Sequence, residues 1–413
     1  MSGKALLGTP ARALRLALCA ACYLSTLSCG DSNTKSVGTA PTPPTGANVA
    51  SVVVDSGPAG TSDVNTLFTT VTVCIPGSTT SCQTIDHIQV DTASYGLRIL
   101  APVLNLSLPV QTMTNADSLV ECTQFVDGYS WGPVALADVQ ISGETAHSVP
   151  VQVIGDPSFT NIPAACSGTG TEEDTVAAFG ANGILGVGAF AQDCGAGCVN
   201  TVDNGDYYAC SSTQCQPTTA ALTSQVPNPV TLFTADNNGV IIQLPSVAAQ
   251  GAATVAGSMF FGIDTQSNNK SGSQSVITLD NLGEFETAFN AGILSGSFLD
   301  TGSNGLYFND SSLNPCPATS NVKDFYCPAS TQSLTATVQG QNGVQASISF
   351  SVDDAQTLGA NDPTLVAFPT LAGPFPGPTP SFDWGLPFFY GRTVYTVIEN
   401  STTSVGTGPY MAF

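Results

Sequence analysis

Two stretches decide how this chain reads: FLDTGSNGLYF at residues 298–308 and QVDTASYGLRI at residues 89–99. Aligned on their aspartates, DTGSNGL and DTASYGL agree at five of seven positions. A single Asp-Thr-Gly-Ser arises often by chance, as an Asp-Gly turn between strands. A near-copy in the other half of the chain, in the same apolar frame, needs a common cause.

The surroundings repeat as well. Strand-like runs lead into the first motif, among them NVASVVVDSG (48–57), TLFTTVTVCI (66–75) and TIDHIQVDT (84–92). Each alternates or runs apolar and stops at Gly, Pro, Ser or Asn. Downstream lies TVAAFGANGILGVGAF (175–190), an apolar run broken by Gly180, Gly183, Gly186 and Gly188. Glycines in such runs permit close backbone packing. The second motif follows PVTLFTADNNGVIIQLP (229–245), which reads as two strands around an Asn-Asn-Gly turn. A similar distance downstream stands FDWGLPFFYGRTVYTVIEN (382–400), again bulky and apolar with an interior glycine, Gly385. Two β lobes, residues 48–225 and 226–413, are expected from an ancient duplication.

Composition agrees with an all-β chain. Of 413 residues, 42% are hydrophobic and 9% charged, with abundant Gly and Pro and few helical patterns. Eight Lys and Arg stand against 30 Asp and Glu, a net charge of −22. Nothing there would neutralise phosphates, so nucleic-acid partners are excluded.

The first 28 residues read as a signal peptide. Lys4, Arg12 and Arg15 precede a short apolar stretch at 16–27, too short to span a bilayer. TLSCGDS (26–32) then places Ser28 before Cys29, which resembles a bacterial lipoprotein signal and makes Cys29 the lipidation candidate. Thr26 and Leu27 depart from that pattern. Residues 29–47 form a polar, Pro-rich tether. The expected location is outside the cytoplasm, lipid-anchored in the cell envelope or else secreted or periplasmic.

Ten of the 13 cysteines lie beyond the signal, an even number that suggests disulfides in an exported chain. Local pairing would join Cys74–Cys82, Cys194–Cys198, Cys210–Cys215 and Cys316–Cys327 and leave Cys122 with Cys166. Spacing alone leaves the connectivity open. Only His87 and His147 are available as imidazole ligands, and no pair of Cys-x-x-Cys units occurs. No metal and no cofactor are expected. GILGVG lacks the Lys-Ser/Thr ending of a phosphate loop, and no G-x-S-x-G accompanies the histidines.

Two carboxylates brought together share one proton, because two like charges in contact cannot both ionise. The ionised member takes a proton from water while the protonated member polarises a carbonyl. In their paired motifs and flanking segments, the residues from 50 onward resemble the pepsin-like two-lobed aspartic peptidases, and in particular a bacterial branch with lipoprotein-type signals. NGILGVG (182–188) and WGLPFFYGRTVYTVIE (384–399) resemble the segments that cross behind that family's two catalytic loops. DGYSWGPVALADVQISG (127–143) resembles its flap hairpin. The resemblance implies an interlobe cleft with Asp91 and Asp300 as catalytic dyad. Thr92 and Thr301 would brace the loops, and Ser94 and Ser303 would hydrogen-bond the outer carboxylate oxygens. The flap would span about 121–134. An extended peptide or protein would be the substrate, cleaved at acidic or mildly acidic pH by a monomer that touches a membrane only through its lipid.

Three departures stand out. Ala93 replaces the glycine that Gly302 supplies in the other motif. It is expected to cost about 1 kcal/mol if the backbone there is left-handed or an amide must reach the carboxylate. Phe125 stands where the family's flap offers a tyrosine, with Tyr129 and Trp131 as nearby substitutes. Asp383 stands where an apolar residue is expected; it is read here as a turn residue, with a third carboxylate near the dyad as the alternative. These departures leave a second function class open, a lipid-anchored binding or surface-interaction protein that keeps the cleft and has lost the chemistry.

Overall fold

The computed structural model describes residues 45–413 apart from 127, 204 and 361. The signal segment, most of the tether and Cys29 lie outside the described residues. No described helix is long and apolar enough to cross a membrane. Strands dominate, and helices are confined to single turns such as Ala164–Ser167 and Val176–Phe179.

Each lobe contains the same loop-and-strand unit. In the first, strand Cys82–Asp91 ends at Asp91, the chain turns, and strand Tyr95–Leu100 leaves. Strand Gly183–Val187 inserts between these two arms, parallel to the first and antiparallel to the second, with Gly186 opposite both Asp91 and Gly96. In the second lobe, strand Gly292–Leu299 leads to Asp300 and Leu306–Tyr307 leaves. Strand Asp383–Trp384 inserts between them in the same senses.

The inserted glycines follow from this crossing. A Cβ on Gly186 would collide with the Tyr95 amide, and one on Gly385 with the Gly305 carbonyl. No other residue type lets a strand pass so close behind a loop.

The two units belong to sheets of 16 and seven strands. The larger sheet runs from the first lobe into the second half of the chain, where Val49–Val54 pairs antiparallel with Val255–Phe261 over six residues. Buried Asn65 adds a polar cross-link. It donates to the Asn304 and Phe368 carbonyls and accepts from the Phe368 amide and the Tyr390 hydroxyl. Behind the second loop the rings of Phe308, Phe382 and Trp384 stack at centroid spacings of 4.7 and 3.8 Å. This apolar column holds Asp300's loop rigid from below.

Among the described residues five disulfides form, Cys74–Cys82, Cys122–Cys166, Cys194–Cys198, Cys210–Cys215 and Cys316–Cys327, the pairing that proximity suggested. Cys122–Cys166 ties the first arm of the flap hairpin, Ser118–Gln124, to the turn Ala164–Ser167. Such bonds persist in oxidising compartments.

Candidate active site

Asp91 and Asp300 lie side by side on the floor of the cleft, 6% and 8% exposed, within side-chain hydrogen-bonding reach of each other. The two loops hold one another. Thr92 Oγ1 donates to the Leu299 carbonyl (3.0 Å) and accepts from the Thr301 amide (3.1 Å). Thr301 Oγ1 donates to the Val90 carbonyl (2.7 Å) and accepts from the Thr92 amide (3.2 Å). Gln89 Nε2 adds a third link, to the Gly302 carbonyl at 3.0 Å.

Each carboxylate also receives an amide from its own turn. The Ala93 amide donates to Asp91 Oδ1 at 2.7 Å, and the Gly302 amide to Asp300 Oδ1 at 2.6 Å. The expected cost of Ala93 is therefore not met. Its amide makes the same approach as glycine's, its backbone is not left-handed, and its methyl is exposed toward a neighbouring cavity. Gly302 is the restrictive position, because a Cβ there would sit 2.9 Å from both Asp300 Oδ1 and Asp91 Cγ. Ala93→Gly is accordingly expected to leave any peptidase activity within about twofold of wild type. It should lower stability by about 0.4–1 kcal/mol through the freer unfolded chain. A urea titration beside a peptide-cleavage assay checks both; a large rise in activity would show that the methyl does obstruct.

The serines are not equivalent. Ser303 Oγ donates to Asp300 Oδ2 at 2.8 Å, as the resemblance implies. Ser94 Oγ, by contrast, is buried and has no hydrogen-bond partner among the described residues. The expectation that it engages Asp91 is corrected: the dyad has its outer serine on one side only.

Asp383 is not a turn residue. It forms the inserted strand with Trp384, opposite Phe298, is 4% exposed and lines the same cavity as the dyad. Ser303 lies in hydrogen-bonding reach of Asp383 as well as Asp300. A hydroxyl has one proton to give. With that proton on Asp300, the second contact is satisfied when Asp383 is itself protonated and donates to Ser303. Burial pushes both carboxyls well above the usual range, Asp300 further through the charges of Asp91 and Asp383.

The folded chain thus holds protons that the unfolded chain releases above about pH 4. The stability these two groups contribute is complete below the unfolded carboxyl pKa and is lost as pH rises through the raised folded values. Asp383→Asn is expected to leave the urea midpoint unchanged near about pH 3.5 and to raise it near about pH 7. A lower midpoint at neutral pH would mean that Asp383 is held ionised by a partner.

Among the proposed flap residues only Phe125 faces the cleft. It sits beyond the paired strands Ser118–Gln124 and Gly128–Ile141, lines the dyad cavity with Val126, and meets Phe179 edge-on at 6.1 Å. Tyr129 and Trp131 do not substitute for a flap tyrosine. Both are buried in the cluster around Cys122–Cys166. There Trp131 Nε1 donates to the Phe159 carbonyl at 2.7 Å, its ring packs on Tyr208, and the Tyr129 hydroxyl pairs with Glu172.

Two buried acids, Asp63 and Glu173, also line the cavity and have no motif around them to announce it. The two places among the described residues where three Cys and Asp donors converge, Cys194–Cys198–Asp206 and Cys316–Cys327–Asp354, are each built on a disulfide. Their sulfurs are not thiolate ligands.

A two-lobed all-β chain with an aspartate on each lobe's loop, each loop crossed behind by a glycine-bearing strand, has the pepsin-like fold. Residues 44–413 match the family described as "Protein of unknown function (DUF3443)", and the chain belongs to that family. No curated protein matches it by sequence. Among solved structures, the aspartic proteinase from Irpex lacteus is similar at 15% identity and a TM-score of 0.48, over 88% of this chain and 96% of that one.

Proposed function

We propose that this chain is an aspartic-type endopeptidase whose Asp91/Asp300 pair activates water against a peptide bond. One observation carries the reading: two buried aspartates from opposite lobes, in mutual hydrogen-bonding reach, are locked by reciprocal threonine bonds. Such a pair titrates as a unit and holds one proton over a range of mildly acidic pH. The ionised member takes a proton from water as its oxygen attacks the carbonyl carbon. The protonated member gives its proton to the carbonyl oxygen, forming a tetrahedral diol. Collapse breaks the C–N bond as one carboxyl proton passes to the leaving nitrogen and a hydroxyl proton of the diol returns to the ionised aspartate, which restores the one-proton pair; no covalent enzyme intermediate forms. An extended peptide would lie beneath Phe125, held by backbone hydrogen bonds in the manner of an added strand.

The five disulfides support action outside the cytoplasm. Anchoring through a lipid on Cys29 and action as a monomer complete the reading. A second reading, a cleft that binds peptides without cutting them, is favoured by Phe125, which offers no hydroxyl to the reacting group. Digestion of a peptide library from about pH 3 to about pH 7 decides between them. Cleavage with an acidic or mildly acidic optimum is expected, and intact peptides at every pH would leave only the binder.

A further inference from the structure

A register position behind the two loops tells the lobes apart, and the serines differ with it. Two residues before its aspartate, the first lobe pairs Gln89 with Ile184; the second pairs Phe298 with Asp383. Ile184 and Asp383 thus hold matching places on the inserted strands, each two residues ahead of the crossing glycine. In the lobe with Ile184, the Ser94 hydroxyl is buried and has no hydrogen-bond partner among the described residues. In the lobe with Asp383, Ser303 lies in reach of that carboxyl and donates to Asp300 Oδ2 at 2.8 Å.

A hydroxyl that accepts a hydrogen bond on its oxygen has its own proton directed elsewhere and donates more strongly. A neutral Asp383 gives Ser303 such a bond and leaves the serine proton to Asp300. Isoleucine gives Ser94 nothing of the kind. The site of Asp383 suits a neutral acid. Its Oδ1 is buried with no hydrogen-bond partner among the described residues, which an ionised carboxylate would leave uncompensated. The titratable groups that face it are acidic or phenolic: Asp91 and Asp300 on the loops, Tyr307 on the adjacent strand, and Asp63 and Glu173 around the cavity. No lysine, arginine or histidine lines that cavity among the described residues.

Once Asp383 loses its proton, it is a buried anion in need of a donor. Ser303 has one proton, and giving it to Asp383 takes it from Asp300. The last proton of the dyad lies between two carboxylates in contact, whereas Asp383 reaches them through Ser303. Asp383 therefore ionises first as pH rises.

We infer that Asp383 is a positioning residue for the dyad: as a neutral acid it turns the Ser303 hydroxyl onto Asp300, and its ionisation turns that hydroxyl away and sets the upper pH limit of cleavage. The inference rests on the peptidase reading and concerns how pH regulates that site. Asp383 acts through Ser303 and takes no part in the water attack itself.

The test is the profile of kcat/KM from about pH 3 to about pH 8 for one peptide cut by wild type, Asp383→Asn and Asp383→Ile. Asparagine does not ionise and can donate to Ser303 at every pH. Isoleucine copies the first lobe and donates nothing. In Asp383→Asn the alkaline limb is expected to move up by at least about half a pH unit, because only loss of the dyad proton then ends activity. In Asp383→Ile the limb should also move up, while the maximum falls by about tenfold as Asp300 loses its held serine. A merely structural role would scale the whole profile and leave the limb in place. An unmoved or lowered limb in Asp383→Asn overturns the inference, as does a maximum in Asp383→Ile equal to that of wild type. If Asp383→Asn fails to fold, the limb of Asp383→Ile decides. No cleavage by wild type at any pH overturns the peptidase reading and this inference together, whereas cleavage with an unmoved limb overturns this inference alone.

Discussion

Asp300→Asn is expected to lower kcat/KM for peptide cleavage by at least about 10³-fold without unfolding the chain. Asparagine matches the shape of aspartate but neither takes nor gives a proton in this pH range. The dyad then loses the proton it must pass between water, carbonyl and leaving nitrogen. The local bonds can survive the change. Asn Oδ1 can accept from the Gly302 amide, and Nδ2 can donate to Ser303 Oγ once that hydroxyl rotates. Stability at neutral pH should rise. The substitution removes a carboxyl that burial and the charge of Asp91 disfavour in its ionised form. The assay compares initial rates on a peptide that wild type cuts, with intact mass confirming that the asparagine has not deamidated. Turnover near the wild-type rate would remove Asp300 from the mechanism.

The second large effect concerns the lock between the lobes. Thr301 is fully buried, and its hydroxyl serves two cross-lobe bonds, to the Val90 carbonyl and from the Thr92 amide. Thr301→Val keeps the shape and removes both. Two buried backbone groups lose a partner at about 1–3 kcal/mol each, so a loss of about 2–6 kcal/mol is expected. The dyad depends on the same bonds for alignment. Cleavage should therefore fall by about tenfold to about a hundredfold even at temperatures where the variant is folded. Thr301→Ser keeps the hydroxyl and should recover most of both losses. An unchanged unfolding midpoint in Thr301→Val would show that the lobes are held by the shared sheet and Asn65 without this lock.

The parts of the site that repeat were legible in the residues themselves. Asp91 and Asp300, their threonines, and the pair Gly186 and Gly385 appear twice in similar order, and duplication makes each copy a control on the other. Ser94 shows the limit of that logic. Its motif matches that of Ser303, yet its hydroxyl finds no partner. Identity of type does not carry over small differences in how two loops are packed. Tyr129 and Trp131 show a related limit. Both occupy one face of strand Gly128–Ile141, and alternation says that they point the same way but not which way. The Cys122–Cys166 cluster on that face decides it.

By itself the sequence determined the all-β class, the paired aspartate loops and the glycines behind them. These depend on local chemistry: strand alternation, turn residues, close backbone approach and short loops. Only the tertiary structure decided that the Ala93 amide reaches its aspartate without a left-handed backbone, that Asp383 is a third carboxyl beside the dyad, and that Asp63 and Glu173 share its cavity. A side chain's charge state and neighbours are set by the elements folded against it. Asp383 meets Asp300 through pairing with strand Gly292–Leu299, from a distant part of the chain, and an isolated Asp in an apolar run carries no trace of that contact.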